Sequence, residues 1–301
     1  MKTDFVIGVD IGGSHITAGL VNITQRTVVQ DSIIRHFVDP HADAATIIEA
    51  WSSAIQQVAA FFEGQAFRIG IAMPGPFDYI NGISLIKGFN KYESLYGLNV
   101  KEMLAQKLSI PVTGISLKND AAAFLQGEIF CGAATGYAKA IGITLGTGLG
   151  SARKVDNDTE ACAVNVSPLH DGRAEDYISI RWFLSRYAEL SGQTPPHVKY
   201  IANKVKEDSH AAQVFNEFVV NLAFVLQRFI EEEQPNVLVL GGGIANAFDI
   251  FYPALEQQLK GRIGNTAIRQ SLLGESAAMA GAAGSWENIN NPQSINTIYE
   301  Q

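Results

Sequence analysis

Only two cysteines occur in 301 residues, Cys131 and Cys162, and neither belongs to a CxxC spacing. That count excludes a disulfide framework and a cysteine-built metal site, and makes a reducing cytoplasm the expected compartment. No run of 18 apolar residues is present, which argues against a helical membrane span. The opening MKTDFVIGVD lacks the apolar stretch and small-residue cleavage site of a secretory leader, so none is expected. Basic clusters are missing too. With 22 Lys and Arg against 30 Asp and Glu the formal net charge is −8, which suits neither nucleic acid nor an anionic membrane as partner. What remains is 47% hydrophobic and 17% charged, the composition of a globular protein with a sizeable core, and its length favours two domains.

Two common phosphate-binding motifs are also absent. A dinucleotide fingerprint runs from a strand into a helix, whereas the residues after Gly12-Gly13 still alternate as a strand. No G-x-x-x-x-G-K-[ST] loop occurs anywhere. What does occur is a repeat. GVDIGGSHITAGLV at 8–21 and GITLGTGLGSARKV at 142–155 superpose on a shift of 134 positions, matching Gly8 to Gly142, Gly12 to Gly146, Ala18 to Ala152 and Val21 to Val155.

Periodicity extends the repeat. FVIGVDIG, HITAGLVN and TVVQDSIIRHF read as three strands, and residues 43–62 place Ile47, Ile48, Trp51, Ile55, Val58 and Phe62 on one helical face. RIGIAMPGP is a buried strand, a helix follows near 99–108, and VTGISL is a strand running into Asn119-Asp120. The second half shows a helix AAAFLQGEIF, strands KAIGITLG and LGSARKV, and helical sequence from about 174. Within it, 211–230 spaces Phe215, Phe218, Val219, Leu222, Leu226 and Phe229 as a core-facing stripe. The strand VLVLGGG, a helical stretch, the strand IRQSLL and a small-residue helix ESAAMAGAAG follow. The predicted class is therefore α/β, with duplicated β-β-β-α-β-α units forming two similar domains. The expected division is 1–117 plus 288–301 as a small domain and 118–287 as a large one.

A glycine-rich turn lets backbone come close to a ligand, and its amides can converge on an anion. Two such hairpins facing across a cleft suit a polyphosphate, although glycine also favours ordinary tight hairpins. Asp10 ends an apolar strand, where a carboxylate is costly unless it meets a cation or donors, and hydrated Mg2+ beside nucleotide phosphates is a natural partner. Thr144 occupies the matching place in the second hairpin, so the metal role falls to Asp10. Asn119 and Asp120 precede AAAFLQGEIF, where both are also favoured helix caps.

In combination these stretches resemble the ROK family, which comprises repressors and sugar kinases of the actin-like ATPase superfamily. GVDIGGSHITAG and ITLGTGLGS are similar to its two phosphate hairpins, GIAMPGPFD to its sugar-side segment, LKNDAAAFLQGE to its catalytic stretch and VLVLGGGIA to its adenosine loop. The resemblance covers about residues 4–286. It implies an actin-like ATPase (ribonuclease H-like) fold with an interdomain cleft, and an ATP- and Mg2+-dependent kinase for glucose, a related hexose or an amino sugar, usually at the 6-hydroxyl. It further implies Asp120 as catalytic base, and Gly75, Asn90, Asn119 and Glu175 as sugar contacts beside it. Gly12, Gly13, Ser14, His15, Gly146, Thr147 and Gly148 would face phosphates, Gly242 and Gly243 the adenosine. A homodimer is the family habit.

Departures accompany the resemblance. EACAVNVSPLHDGRAEDYISIRWF lacks the family's zinc-binding cysteines, so no structural zinc is expected. AEDYISIR makes Glu175 the match for a sugar-binding glutamate, but the Glu and His of the preceding family segment have no clear counterpart; His170 is a candidate for that His. Ser14-His15 stands where Thr-Lys is common. Two alternatives follow: a catalytically degenerate sugar-binding protein, and a regulator of the same family, against which stand the three residues before the first strand and the acidic pI near 5.3.

Overall fold

In the computed structural model, residues 4–289 are described. The chain begins with β1 (Phe5–Ile11), β2 (His15–Asn22), β3 (Thr27–Val28), β4 (Ile34–Phe37), α1 (Ala44–Ala59) and β5 (Ile69–Met73). A short hairpin, β6 (Phe77–Asp78) and β7 (Ile83–Ser84), precedes α2 (Val100–Leu108), β8 (Ile115–Asn119) and α3 (Asp120–Cys131). Then come β9 (Ala140–Leu145), β10 (Leu149–Val155), β11 (Asp158–Ala161), β12 (Pro168–Leu169) and β13 (Gly172–Arg173). Four helices follow, α4 (Ala174–Ile178), α5 (Ile180–Ser191), α6 (Val198–Lys204) and α7 (Ser209–Glu233). The chain ends in β14 (Val237–Gly241), α8 (Phe248–Leu259), β15 (Ala267–Gln270) and α9 (Ala277–Ile289).

The repeat read from the sequence is a repeat of topology. One sheet runs β3-β2-β1-β5-β8, with β4 also on β2, and the other runs β11-β10-β9-β14-β15. With β4 set aside and only the strands along each path counted, both sheets have the order third, second, first, fourth, fifth. A shift of 134 carries His15, the first residue of β2, onto Leu149, the first residue of β10. In both sheets the first two strands form an antiparallel hairpin, and the fourth strand lies parallel to the first.

The described residues form two compact units, 4–135 with 155–160 and 275–289, and 136–154 with 161–274. This division differs from the sequence expectation, which cut within β8 at 117/118 and so put α3 in the other domain. Helix α3 joins the first unit because it packs backbone to backbone on α9: a Cβ at Gly127 would stand 2.0 Å from the Ala277 carbonyl oxygen, and one at Gly281 only 1.8 Å from that of Ala123. Helix α9 also lies on the first sheet. Gly19, Gly8 and Gly70 are register partners across β2, β1 and β5, and a Cβ at Gly8 or Gly70 would meet α9 carbonyls at 2.4 and 2.1 Å. Of the expected small domain, residues 290–301 lie outside the described residues.

Three boundaries depart from the periodicity reading. The expected strand 27–37 is broken at Gln30–Ser32 into a 3-10 turn. The Ser32 hydroxyl accepts the Leu20 amide at 2.7 Å and donates to the Val29 carbonyl at 2.6 Å, so the chain folds back on its own side chain. Val112–Gly114 forms another 3-10 turn ahead of β8, and β15 stops at Gln270. The helical faces hold. Asp43 caps α1 by accepting the Thr46 amide, and Ile47, Ile48, Trp51, Ile55 and Val58 of α1 are buried. In α7 the whole stripe from Phe215 to Phe229 is buried, in one cluster with Phe183, Tyr187 and Phe251. Among the described residues no helix is long and apolar enough to cross a membrane.

Candidate active site

In parallel strands the carboxyl ends share one edge of a sheet, and in open α/β sheets ligands bind there. The first unit puts three of the sequence motifs on that edge. Register places Asp10 of β1 beside Ala72 of β5, and Ala72 beside Lys118 of β8. The glycine turn 12–14 therefore leaves β1, Pro74-Gly75 leaves β5 and Asn119-Asp120 leaves β8 on the same side.

The turn after β1 is closed by the Gly12 amide donating to the His15 carbonyl at 2.9 Å. Gly13 is exposed, and a Cβ built on it meets nothing within 4 Å. The protein's own packing thus leaves open space where this backbone could face a ligand. Ser14 Oγ lies 2.9 Å from His15 Nδ1, and the His15 ring meets Phe37 edge-on.

Asp120 is the first residue of α3, with Oδ1 accepting the Ala121 amide at 2.8 Å. Burial raises its pKa; the Ala121 amide and the Lys91 ammonium pull the other way. Asp10 is pushed up to about 7, first by burial, then by the neighbouring Asp120 charge, with Glu275 adding to the rise and Arg35 opposing it. The two carboxylates therefore sense each other. Among the described residues no group of three or more His, Cys, Asp and Glu side chains is placed to hold a metal ion.

Asn119 acts as the helix cap that its position allowed. Its Oδ1 accepts the amides of Ala121 and Ala122 at 3.0 and 3.2 Å, and its Nδ2 donates to Tyr79 Oη at 3.2 Å. Tyr79 in turn donates to the Met73 carbonyl. A Cβ on Gly75 would stand 3.0 Å from that same phenol, so the glycine makes room for Tyr79. Asn90 is exposed, in left-handed backbone at φ 55°, and its amide donates to Glu93 Oε1 at 2.9 Å.

The second unit carries the other motifs at the matching edge, since Gly241 of β14 pairs with Thr144 of β9. Gly146, Thr147 and Gly148 turn β9 into β10, with Thr147 exposed at the tip. Glu175, from the first turn of α4, reaches this hairpin: Oε2 accepts the Leu149 amide at 2.9 Å and Oε1 pairs with Arg181 at 3.2 Å. A Cβ on Gly148 would lie 2.5 Å from Glu175 Oε2. Gly242 has φ 86° and no room for a Cβ, which would stand 2.5 Å from the Leu145 carbonyl, so this loop is pressed onto the end of β9. Gly243 is exposed beside it.

The segment in place of the family's zinc motif folds as the hairpin β12–β13. His170 sits at its turn with φ 52°, its Nε2 is 2.8 Å from Asn221 Oδ1 of α7, and its ring meets Tyr177. Cys131 and Cys162 form no disulfide with each other, and burial pushes the Cys131 thiol up to about 11. Periodicity did not single out Tyr79, Tyr92 or Lys91. They lie in a loop without a repeating pattern, and their partners are distant in sequence.

The family model described as "ROK family" matches residues 6–160 and 170–288. A glucokinase of Thermotoga maritima is 24% identical over 92% of this chain and 96% of its own. An N-acetyl-D-glucosamine kinase of Pectobacterium carotovorum is also 24% identical, over 92% and 97%. Among solved structures, a ROK family glucokinase from Streptomyces griseus in complex with glucose and AMPPNP superposes with a TM-score of 0.74 at 23% identity, covering 93% of this chain and 98% of that one.

Proposed function

The chain belongs to the ROK family, and from that premise we propose that it is an ATP-dependent sugar kinase. The reaction is transfer of the γ-phosphate to a hydroxyl, the 6-hydroxyl in the first instance, of glucose or a related hexose or amino sugar. Relatives named as glucokinase and as N-acetylglucosamine kinase support this class at equal identity, so the choice of sugar is left to experiment.

One observation carries the reading: a partly buried carboxylate at the head of α3 shares its sheet edge with Asp10 and the open Gly12–Ser14 turn. Phosphoryl transfer calls for an oriented nucleophile and neutralised phosphate charge. Asp120 accepts the hydroxyl proton as the oxygen bonds to phosphorus, and burial makes it a stronger base than an exposed aspartate. The amides of Gly13 and Ser14, at the turn of the first unit, donate to phosphate oxygens. Gly242 and Gly243 leave backbone open to adenosine.

Asp10 is the residue that would hold Mg2+, as one carboxylate with the ion's own water shell. Burial and the neighbouring Asp120 charge push Asp10 up to about 7, while Arg35, paired with Glu275 at 2.8 Å, opposes the rise, so a bound cation would offset the repulsion between the two aspartates. The ion, when bound, neutralises charge on the transferring phosphate.

A second reading has its own observation. His170, the candidate for the family's His, lies at a hairpin with its Nε2 2.8 Å from Asn221 Oδ1, and the family's Glu has no clear counterpart in the segment before α4, which favours a protein that binds sugar without turnover. A coupled ADP-release assay over hexoses, N-acetylhexosamines and β-glucosides separates the two. Sugar-dependent ADP formation supports the kinase, whereas calorimetric sugar binding with no ADP from any sugar supports the binding protein.

A further inference from the structure

Tyr92 is fully buried, yet it belongs to the exposed loop that carries Asn90. Its backbone lies in the left-handed region at φ 53°, as does that of Asn90 at 55°, a conformation uncommon outside glycine and, for a bulky side chain, one the surroundings must impose. Three contacts impose it. The Tyr92 amide donates to the Pro40 carbonyl at 2.7 Å, the ring packs edge-on against Trp51 at 5.3 Å, and the phenol donates to the Gly12 carbonyl at 2.7 Å. Burial pushes the phenol up to about 12, so it keeps its proton and acts as the donor.

The acceptor matters. Gly12 and Gly13 share one planar trans peptide, in which the carbonyl and the next amide point in opposite directions. Anchoring the Gly12 oxygen therefore fixes where the Gly13 N–H points. The Gly12 amide is already spent on the His15 carbonyl, and Gly13 itself faces open space. Without the phenol the exposed peptide 12–13 would have no tether on its oxygen side.

We propose that Tyr92 is a positioning residue: its hydroxyl locks the Gly12–Gly13 peptide so that the Gly13 amide is preset to meet a nucleotide phosphate. The inference rests on the sugar-kinase reading of this turn. An amide held in place before the anion arrives forfeits no freedom on binding, so the lock raises affinity for the phosphates and leaves adenosine unaffected.

Calorimetry with Mg·AMP-PNP and with adenosine tests it on wild type, Tyr92→Phe and Val58→Ala. Val58 is buried on α1 and takes no part in these hydrogen bonds, so its truncation controls for lost stability. The expected result is about five- to tenfold weaker AMP-PNP binding in Tyr92→Phe, with adenosine unchanged, and wild-type affinity for both in Val58→Ala. AMP-PNP binding equal to wild type in a folded Tyr92→Phe overturns this inference and leaves the kinase reading standing. A wild type that binds no AMP-PNP overturns that reading and this inference with it. If Tyr92→Phe does not fold, the Gly13 amide resonance of the wild type decides. Mg·AMP-PNP must shift it and adenosine must not; an unmoved resonance overturns the proposal.

Discussion

Replacing Asp10 with Asn should stabilise the protein in metal-free solution, and the effect should grow with pH. The Asp10 pKa rises from 3.8 to about 7, chiefly because burial disfavours the ionised form and next because Asp120 repels it. A raised value in the folded state means that the folded chain keeps a proton which the unfolded chain gives up. The stabilising contribution of that proton is complete below about pH 4 and is lost as pH climbs through 7. A rise of about three units at about 1.4 kcal/mol each corresponds to about 4 kcal/mol lost by pH 8. Asn keeps the shape and never ionises, so the variant escapes the loss. By thermal unfolding in EDTA the two proteins should match near pH 4 and diverge toward pH 8, with the variant melting on the order of 10 °C higher. Mg2+ should narrow the gap from the wild-type side, because it compensates a carboxylate that only the wild type has. A wild-type protein whose EDTA stability is flat between pH 5 and 8, or a variant no more stable at pH 8, refutes the reasoning.

Asp120→Asn should lower kcat by about 10²- to 10⁴-fold in the ADP-release assay while sugar binding by calorimetry persists; unchanged turnover would remove Asp120 as the base. Gly281→Ala and Gly13→Ala should behave oppositely. At Gly281 the new methyl falls 1.8 Å from the Ala123 carbonyl, so α3 and α9 must separate, and chemical denaturation should show a loss of at least about 1–3 kcal/mol. At Gly13 the methyl meets nothing within 4 Å, so stability should stay within about 0.5 kcal/mol while KM for ATP rises. Gly148→Ala should drive Glu175 off the Leu149 amide, 2.9 Å away, and raise KM for ATP without unfolding the second unit.

What the sequence made legible was what local pattern determines. Strand–glycine–strand written twice became two sheets that share one strand order apart from the additional β4, because apolar alternation and a turn residue are properties of a dozen neighbouring residues. The α7 stripe was legible for the same reason. The misread third strand shows the limit: residues 27–37 are as β-branched as a true strand, and the break depends on Ser32 finding the Leu20 amide on another strand. The unit boundary was hidden likewise. Close contacts such as that of Gly127 with Ala277, 150 positions apart, assign α3 to the first unit. In the candidate site, Asp10 and Asp120 stood out as carboxylates next to strand ends. Tyr79 and Tyr92 did not, since what gives each its place is a hydrogen bond to backbone or side chain elsewhere in the chain.

Of all these measurements, a crystal structure with AMP-PNP, Mg2+ and the sugar that performs best in the ADP-release assay is the most direct. The account predicts phosphate oxygens on the amides of Gly13 and Ser14, the metal's water shell on Asp10, and the acceptor hydroxyl within hydrogen-bond distance of the Asp120 carboxylate. Phosphates bound away from the Gly12–Ser14 turn, or a sugar whose hydroxyls all face away from Asp120, would contradict it.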